Sequence, residues 1–139
     1  MDVEIDFPIE FNVRGIPVAS SAKRAESRDQ WKVRVRDAAR TALPEGHWFS
    51  DRRMYVRIYY FPGAEMQGDI DNIVKFILDA LNAFVWRDDH QVERVVVQKF
   101  EPGKIFEFAN PSDKLAEALN FAGPIVHIRV SADPTEELS

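Results

Sequence analysis

The sequence contains no cysteine in its 139 residues, which excludes disulfide bonds, thiolate zinc sites and a cysteine nucleophile. No apolar run approaches the roughly 18 residues that a membrane-spanning helix requires. The first residues, Met1-Asp2-Val3-Glu4, are acidic and lack the basic and apolar segments of a signal peptide. These absences predict a cytoplasmic protein that does not associate with membranes.

The composition is typical of one globular domain over residues 1–139, with 45% hydrophobic and 29% charged residues. The net charge of −5 argues against a uniformly basic nucleic-acid-binding protein. However, residues 20–57 hold ten basic and five acidic residues, whereas residues 61–139 hold seven basic and fourteen acidic ones. This asymmetry has two interpretations: a basic docking face beside an acidic cation-binding site, or local ion pairing alone.

Apolar patterns predict four β-strands, at residues 3–13, 53–61, 91–100 and 124–131. The third contains Val95-Val96-Val97, a continuous apolar run typical of an interior strand. Helices are predicted between the strands. The alternation of the two predicts an α/β (α+β) fold, in which helices cover a mixed β-sheet.

Three helices are predicted. Ser27 and Gln30 have the spacing of a capping box, so the first helix is expected to begin there, after a polar loop at residues 19–26. The second begins at Ile70, and a short third lies within residues 112–121.

The helix that begins at Ile70 is apolar around most of its circumference, and its polar residues share one arc about 100° wide. These polar residues are Asp71, Asn72, Lys75, Asp79 and Asn82. One interpretation is a solvated face, in which Lys75 forms i,i+4 ion pairs with the two acids. The other is a functional site, because charges are costly to bury without a partner or a metal. Asp69, just before the helix, favours function.

Four aspartates flank this helix: Asp69 and Asp71 at its start, and Asp88-Asp89 after its end. Three or four converging carboxylates form a hard-oxygen site suited to Mg²⁺ or Mn²⁺. Acids at a helix start can also serve only as N-cap and dipole partners. A calcium loop is excluded, because Val74 and Ala80 stand where such a loop requires glycine and glutamate.

Three motifs together resemble the RusA family of Holliday-junction resolvases: Asp69-Ile70-Asp71-Asn72-Ile73-Val74-Lys75, Leu78-Asp79-Ala80-Leu81-Asn82 and Asp88-Asp89-His90-Gln91-Val92. The resemblance is close over about residues 68–97. Gly15-Ile16-Pro17, with the basic segment after it, is similar to the start of the family's sequences. The resemblance implies a homodimeric, Mg²⁺-dependent endonuclease that cuts four-way DNA junctions in recombination and repair.

The resemblance also implies roles for individual residues. Asp69, Asp71 and Asp89 are the expected metal-binding catalytic acids, and Lys75 is the expected functional lysine. Lys75 would bind the scissile phosphate or orient the attacking water, or it would simply pair with Asp71 or Asp79. The expected supporting residues are Asn72, Asp79 and Asp88. His90 is interpreted as an exposed turn residue rather than a general base.

Relatives often carry arginines before the first aspartate, whereas this chain has Glu65-Met66-Gln67-Gly68. The phosphate contacts that junction binding needs are therefore assigned to basic residues elsewhere in the chain. These residues are Lys23, Arg24, Arg28, Arg52 and Arg53.

The spacing of the acids restricts the site. Eighteen helical residues between Asp71 and Asp89 would span about 27 Å, which is too far for one metal ion. Either the helix ends early and the Asp88-Asp89 loop folds back, or Asp89 meets Asp69 and Asp71 of a second subunit across a twofold axis. Two competing functions stay open: phosphoryl transfer on small molecules, and a catalytically silent DNA-binding module whose acids are paired structurally.

Overall fold

The computed structural model describes residues 3–66, 68–104 and 106–136. Over these ranges four strands and three α-helices alternate as predicted. They are β1 (Ile9–Arg14), α1 (Ala25–Arg40), β2 (Met54–Phe61), α2 (Val74–Leu81), β3 (Val92–Lys99), α3 (Asp113–Leu119) and β4 (Ile125–Ser131). Two 3₁₀ turns, Ile70–Ile73 and Asp89–Gln91, lead into α2 and β3. None of the helices in these ranges is long and apolar enough to cross a membrane.

The strands form one mixed sheet in the order β1-β4-β2-β3, which confirms the predicted fold class. β4 pairs antiparallel with both β1 and β2, whereas β2 and β3 are parallel. Parallel neighbours need a crossover connection, and α2 supplies it. The β2–β3 ladder runs from the Met54–Val92 pair to the Tyr60–Lys99 pair. The β2-α2-β3 unit is therefore the part of the fold that carries all four candidate acids.

The main core lies between one face of the sheet and helices α1 and α2. Met54, Val56, Ile58 and Tyr60 alternate along β2 and are buried, as period-2 spacing requires. Trp31 on α1 is also fully packed within this core. Each such side chain contributes about 1.5–3 kcal/mol through removal of apolar surface from water. Helix α2 packs into the same core through its buried residues Phe76, Ile77, Ala80 and Leu81.

Several boundaries differ from prediction, and one is the start of α2, which is Val74 because Ile70–Ile73 forms a 3₁₀ turn. Helix α1 begins at Ala25, with Arg24 at the N-cap position, so the capping box expected at Ser27 is wrong. Ser27 lies inside the first turn, and Gln30 donates its side-chain amide to Glu26 instead. Strand β1 begins at Ile9 rather than at residue 3, because the chain reaches the sheet only after Pro8, which cannot donate a ladder hydrogen bond.

The prediction that β3 is an interior strand is also wrong, because β3 lies at the edge of the sheet and pairs with β2 only. A register shift beside Met54 leaves one extra residue in β3, so Val95 and Val97 lie opposite Val56 and Ile58. Val95 and Val97 are half-buried against the core. Val96 lies opposite Arg57 on the other face. The apolar run therefore reflects half-burial of an edge strand.

Candidate functional site

Asp69 and Asp71 lie at the start of the 3₁₀ turn that leads into α2. Asp69 has an extended backbone at the N-cap position, and its carbonyl accepts a hydrogen bond from the Asn72 amide at 3.1 Å. Its carboxylate makes no capping hydrogen bond. Both aspartates are exposed, and within the described ranges neither carboxylate has a hydrogen bond or an ion pair. Within the described part of the chain, the carboxylate oxygens of both aspartates are therefore available to bind a cation.

Asn72 anchors the basic N-terminal loop beside these acids. Its carbonyl accepts the Ser20 amide at 2.6 Å, and its side-chain oxygen accepts the Ser20 hydroxyl at 2.9 Å. Lys23 and Arg24 follow this anchor within four residues and are exposed. The Arg28 guanidinium lies 5.9 Å from the centre of the Phe76 ring on α2. Three of the five predicted DNA-binding residues therefore lie near the start of α2.

Lys75 forms an ion pair with Asp79, with an Nζ–Oδ2 distance of 3.2 Å. The Lys75 side chain is 62% exposed, so this i,i+4 pair contributes only about 0.3–0.5 kcal/mol. Such a weak interaction would yield readily to a phosphate group. Asp79 is accordingly a weak, exchangeable partner of Lys75.

Asp89 begins the second 3₁₀ turn, just before β3, and Asp88 lies at the N-cap position of that turn. One carboxylate oxygen of Asp89 accepts a hydrogen bond from the indole Nε1 of Trp86 at 2.9 Å. Trp86 is fully buried, so it fixes the orientation of Asp89 from the core side. His90 contacts the Asp88 carboxylate at 2.9 Å, and this hydrogen bond is the main reason that the pKa of Asp88 lies below its usual value. His90 is exposed, as expected.

Gln91 ties this turn to the segment that precedes β2. Its side-chain amide donates to the carbonyls of Ser50 and Arg52, both at 2.8 Å, and its side-chain oxygen accepts the Asp88 amide at 2.8 Å. The residue is only 3% exposed, so all of these bonds are shielded from water. Arg52 is exposed, and Arg53 reaches the His90 carbonyl at 3.3 Å. The other two predicted DNA-binding residues therefore lie beside Asp88 and Asp89.

The two aspartate pairs lie at opposite ends of the β2-α2-β3 unit. Asp69 shares a groove of about 500 Å³ with Tyr60, at the carboxyl end of β2, whereas Asp89 precedes β3 beside the start of β2. Eight residues of β3 separate these ends, which is about 23 Å at 3.3 Å per residue. Within the described residues, no three His, Asp or Glu side chains lie close enough to hold one metal. The four acids therefore do not converge within one chain.

Helix α2 ends at Leu81, earlier than the apolar pattern suggested. Asn82 is extended and Ala83 has a φ of +59°, so the chain turns here. It then pairs with Ser50 through Trp86 and reaches β3 only at Val92. The connection does not return toward Asp69. Early termination of the helix thus shortens the predicted 27 Å separation without closing it.

Ile70, Val74 and Leu78 are half-buried apolar residues that repeat at four-residue spacing along the 3₁₀ turn and α2. Residues at this spacing share one helix face. The same turn contacts β3, whose outer edge has no strand partner among the described residues. The apolar stripe of Ile70, Val74 and Leu78 and the unpaired edge of β3 therefore lie between the two aspartate pairs.

Ser20 and Trp86, which position Asn72 and Asp89, were not predicted as site residues. No local pattern predicts either contact, because both depend on where distant segments pack. The role of Gln91, in contrast, could have been found from the sequence. Its three-residue spacing from Asp88 is that of a capping box, and the amide of Asp88 does bond to the Gln91 side chain.

Comparison with known proteins adds one match to this geometry. A family model described as endodeoxyribonuclease RusA matches residues 8–106. The matched segment covers more than two thirds of the chain, from just before β1 to just after β3, and includes both aspartate pairs. No curated protein matches the chain significantly.

Proposed function

Since the chain belongs to the RusA endodeoxyribonuclease family, we propose that it is a homodimeric, Mg²⁺-dependent nuclease that cleaves four-way DNA junctions during recombination and repair. The observation that carries this proposal is the division of the acids into two pairs, each accompanied by its own basic residues. Asp69 and Asp71 accompany Lys23, Arg24 and Arg28, and Asp88 and Asp89 accompany Arg52 and Arg53. Two incomplete halves of this kind would form complete sites in a twofold dimer.

A twofold axis across α2 and the edge of β3 would join these halves. Antiparallel pairing of two such units brings the start of one α2 next to the end of the other, and it does so twice. Each site would then combine Asp69 and Asp71 of one subunit with Asp89 of the other. The stripe of Ile70, Val74 and Leu78 supports this interface, because it offers apolar surface that a partner would cover.

The donor set fits a hard divalent cation. Asp69 and Asp71 offer carboxylate oxygens with no competing partner among the described residues, and Trp86 leaves one oxygen of Asp89 available. Carboxylates without sulfur or imidazole ligands suit Mg²⁺, with Mn²⁺ as the other candidate. A bound Mg²⁺ supplies charge neutralisation and a water of lowered pKa. Mutual repulsion between the acids in a dimer would be relieved by such an ion.

The remaining residues would bind and orient the DNA. Lys75, one turn beyond Asp71, would exchange its ion pair with Asp79 for a non-bridging oxygen of the scissile phosphate. The basic loop anchored by Ser20 would hold the phosphates on one side of that position, and Arg52 and Arg53 of the partner would hold those on the other. This arrangement allows an acidic protein to bind a polyanion through local patches.

A cleavage assay tests this proposal directly. The substrates are a mobile four-way junction and a linear duplex of the same sequence, each with Mg²⁺, Mn²⁺ or a chelator. We expect paired cuts on opposed strands of the junction, with none in chelator and none by an Asp71→Asn variant. Junction binding that ignores Mg²⁺, without cleavage, would favour a silent DNA-binding module instead. Absence of any DNA affinity would favour phosphoryl transfer on small molecules.

A further inference from the structure

Trp48 is a large aromatic residue whose side chain is half exposed to solvent. The chain has three tryptophans, and Trp31 and Trp86 are 2% and 0% exposed, whereas Trp48 is 49% exposed. The indole N–H of Trp48 has no hydrogen-bond partner within the described residues. Exposure of half a tryptophan forfeits a large burial contribution to stability. A role in binding would account for it.

The backbone around Trp48 is firmly held. The Trp48 amide donates to the Val3 carbonyl at 2.9 Å, and the Ser50 amide donates to the Val85 carbonyl at 2.8 Å. The Arg87 amide returns a bond to the Ser50 carbonyl at 3.2 Å. Trp48 is therefore presented to solvent by an ordered segment, and ordering it on binding would cost little conformational entropy.

The surroundings of Trp48 are aromatic and cationic. The Trp48 and Phe49 rings lie 4.5 Å apart with a tilt of 33°, and the Arg87 guanidinium lies 4.9 Å from the centre of the Phe49 ring. Arg87 also pairs with Asp51 at 2.6 Å, and Arg52, the next residue in the chain, is exposed. Aromatic faces interleaved with arginines are the surface that single-stranded nucleic acid binds, because every base has a π-face and every nucleotide an anionic phosphate.

Trp48 also belongs to the same end of the molecule as Asp89. Ser50, two residues after Trp48, pairs with Trp86, and Trp86 donates its indole N–H to Asp89. A strand whose phosphate lies at Asp89 would pass close to Trp48. Four-way junctions contain bases at the crossover whose stacking is interrupted, so a base is available there without the full cost of unstacking a duplex.

We propose that Trp48, backed by Phe49 and Arg87, is a stacking platform for one nucleobase at the centre of the DNA junction, where base stacking is interrupted. This inference rests on the proposed junction nuclease function and assigns the residue that distinguishes a junction from a continuous duplex. The platform accepts any base, because stacking does not read hydrogen-bonding edges. It therefore selects DNA structure and not DNA sequence.

Binding assays with four proteins test the platform: wild type, Trp48→Phe, Trp48→Leu and Val33→Ala. Val33 is a matched control because it is an apolar residue of α1 that is 52% exposed. In chelator, Trp48→Leu should weaken junction binding about 5- to 100-fold and leave duplex binding unchanged, since it keeps apolar surface but loses the aromatic face. Trp48→Phe and Val33→Ala should bind the junction as the wild type does.

Fluorescence supplies a second readout. A junction that carries 2-aminopurine at the crossover should lose 2-aminopurine emission on binding to wild type, and a junction labelled at an arm end should not. With Trp48→Leu the crossover signal should stay unquenched even at saturating protein. Equal junction affinity for Trp48→Leu and wild type would overturn the proposal. So would a Trp48→Leu dimer that dissociates in sedimentation, since Trp48 would then be an interface residue. Failure of the wild type to bind junctions would instead reject the underlying function.

Discussion

Mixing two inactive variants distinguishes a site shared between subunits from a site within one chain. Asp71→Asn and Asp89→Asn each remove one proposed metal ligand, and each homodimer should lose cleavage by a factor on the order of 1,000. In a heterodimer with shared sites, the intact Asp69 and Asp71 of one chain meet the intact Asp89 of the other. One site is then wild type, and the opposite site carries both substitutions.

The expected recovery follows from counting sites. Free assortment of equal amounts makes half of the dimers heterodimers, and each heterodimer has one working site of two. The mixture should therefore contain about one quarter of the wild-type number of sites. Because each active dimer cuts one strand only, the product should be nicked junctions. Paired cuts, which need two sites in one dimer, should be absent.

The assay uses the two variants co-expressed with different affinity tags, so that heterodimers can be isolated by sequential purification. Purified heterodimers should nick a junction at about half of the wild-type rate, and an Asp71→Asn protein carrying both tags is the matched control. No recovery in heterodimers of demonstrated composition would refute the shared site, because a site within one chain leaves both heterodimer sites defective. It would also conflict with the 23 Å separation estimated along β3.

Three further predictions concern stability and DNA binding. Burial lowers the pKa of His127 from 6.5 to about 4, so the unfolded chain takes up this proton first. The contribution of neutral His127 to the free energy of unfolding should be fully present above pH 6.5 and should fall by an amount on the order of 3 kcal/mol between pH 6.5 and 4. Denaturant titrations of His127→Gln should lack this dependence on pH. Gln91→Ala should cost about 2–4 kcal/mol in the same titrations, because it removes the three hydrogen bonds of a buried side chain. The exposed Gln30→Ala should change the free energy of unfolding by less than about 0.5 kcal/mol. Replacing Arg52 and Arg53 with Gln should reduce the slope of log K against log salt by about 0.9 for each phosphate that the protein no longer neutralises, and an unchanged slope would exclude both arginines from the DNA interface.

The sequence predicted the architecture well wherever a local pattern carried the information. The period-2 burial of β2 follows from Val56 and Ile58, and the order of strands and helices follows from similar patterns. Strand order within the sheet carries no such local signal. Val95-Val96-Val97 reads alike in an interior strand and in an edge strand with one covered face, so the edge position of β3 was not predictable. The prediction that α1 begins at Ser27 was wrong for a related reason. The start of α1 depends on where the preceding loop is anchored, which the local sequence does not show.

The residue types of the candidate site could be read from the sequence, but its geometry could not. The types and spacing of Asp69, Asp71 and Asp89 are readable in the sequence, and carboxylates are the ligands that hard cations prefer. Their distribution over the two ends of the β2-α2-β3 unit left one clue in the sequence. The spacing between Asp71 and Asp89 is too long for both to bind one metal ion. The donors that orient them come from distant positions, as Ser20 shows for Asn72. Contacts of this kind depend on packing and have no sequence period.

The parallel pairing of β2 and β3 accounts for the division of the acids. A parallel pair needs a connection that returns the chain to the start of the next strand, so residues before α2 and residues before β3 must lie at opposite ends. A monomer with Asp69 at one end and Asp89 at the other cannot bring these acids to one metal ion. Under the proposed mechanism, a free subunit would therefore not cleave DNA. A twofold dimer would assemble two ligand sets at once, related by the same symmetry as the opposed strands of a four-way junction. Under the proposed arrangement, dimerisation, metal binding and paired cleavage are consequences of one geometric fact, the position of the acids at the two ends of β3.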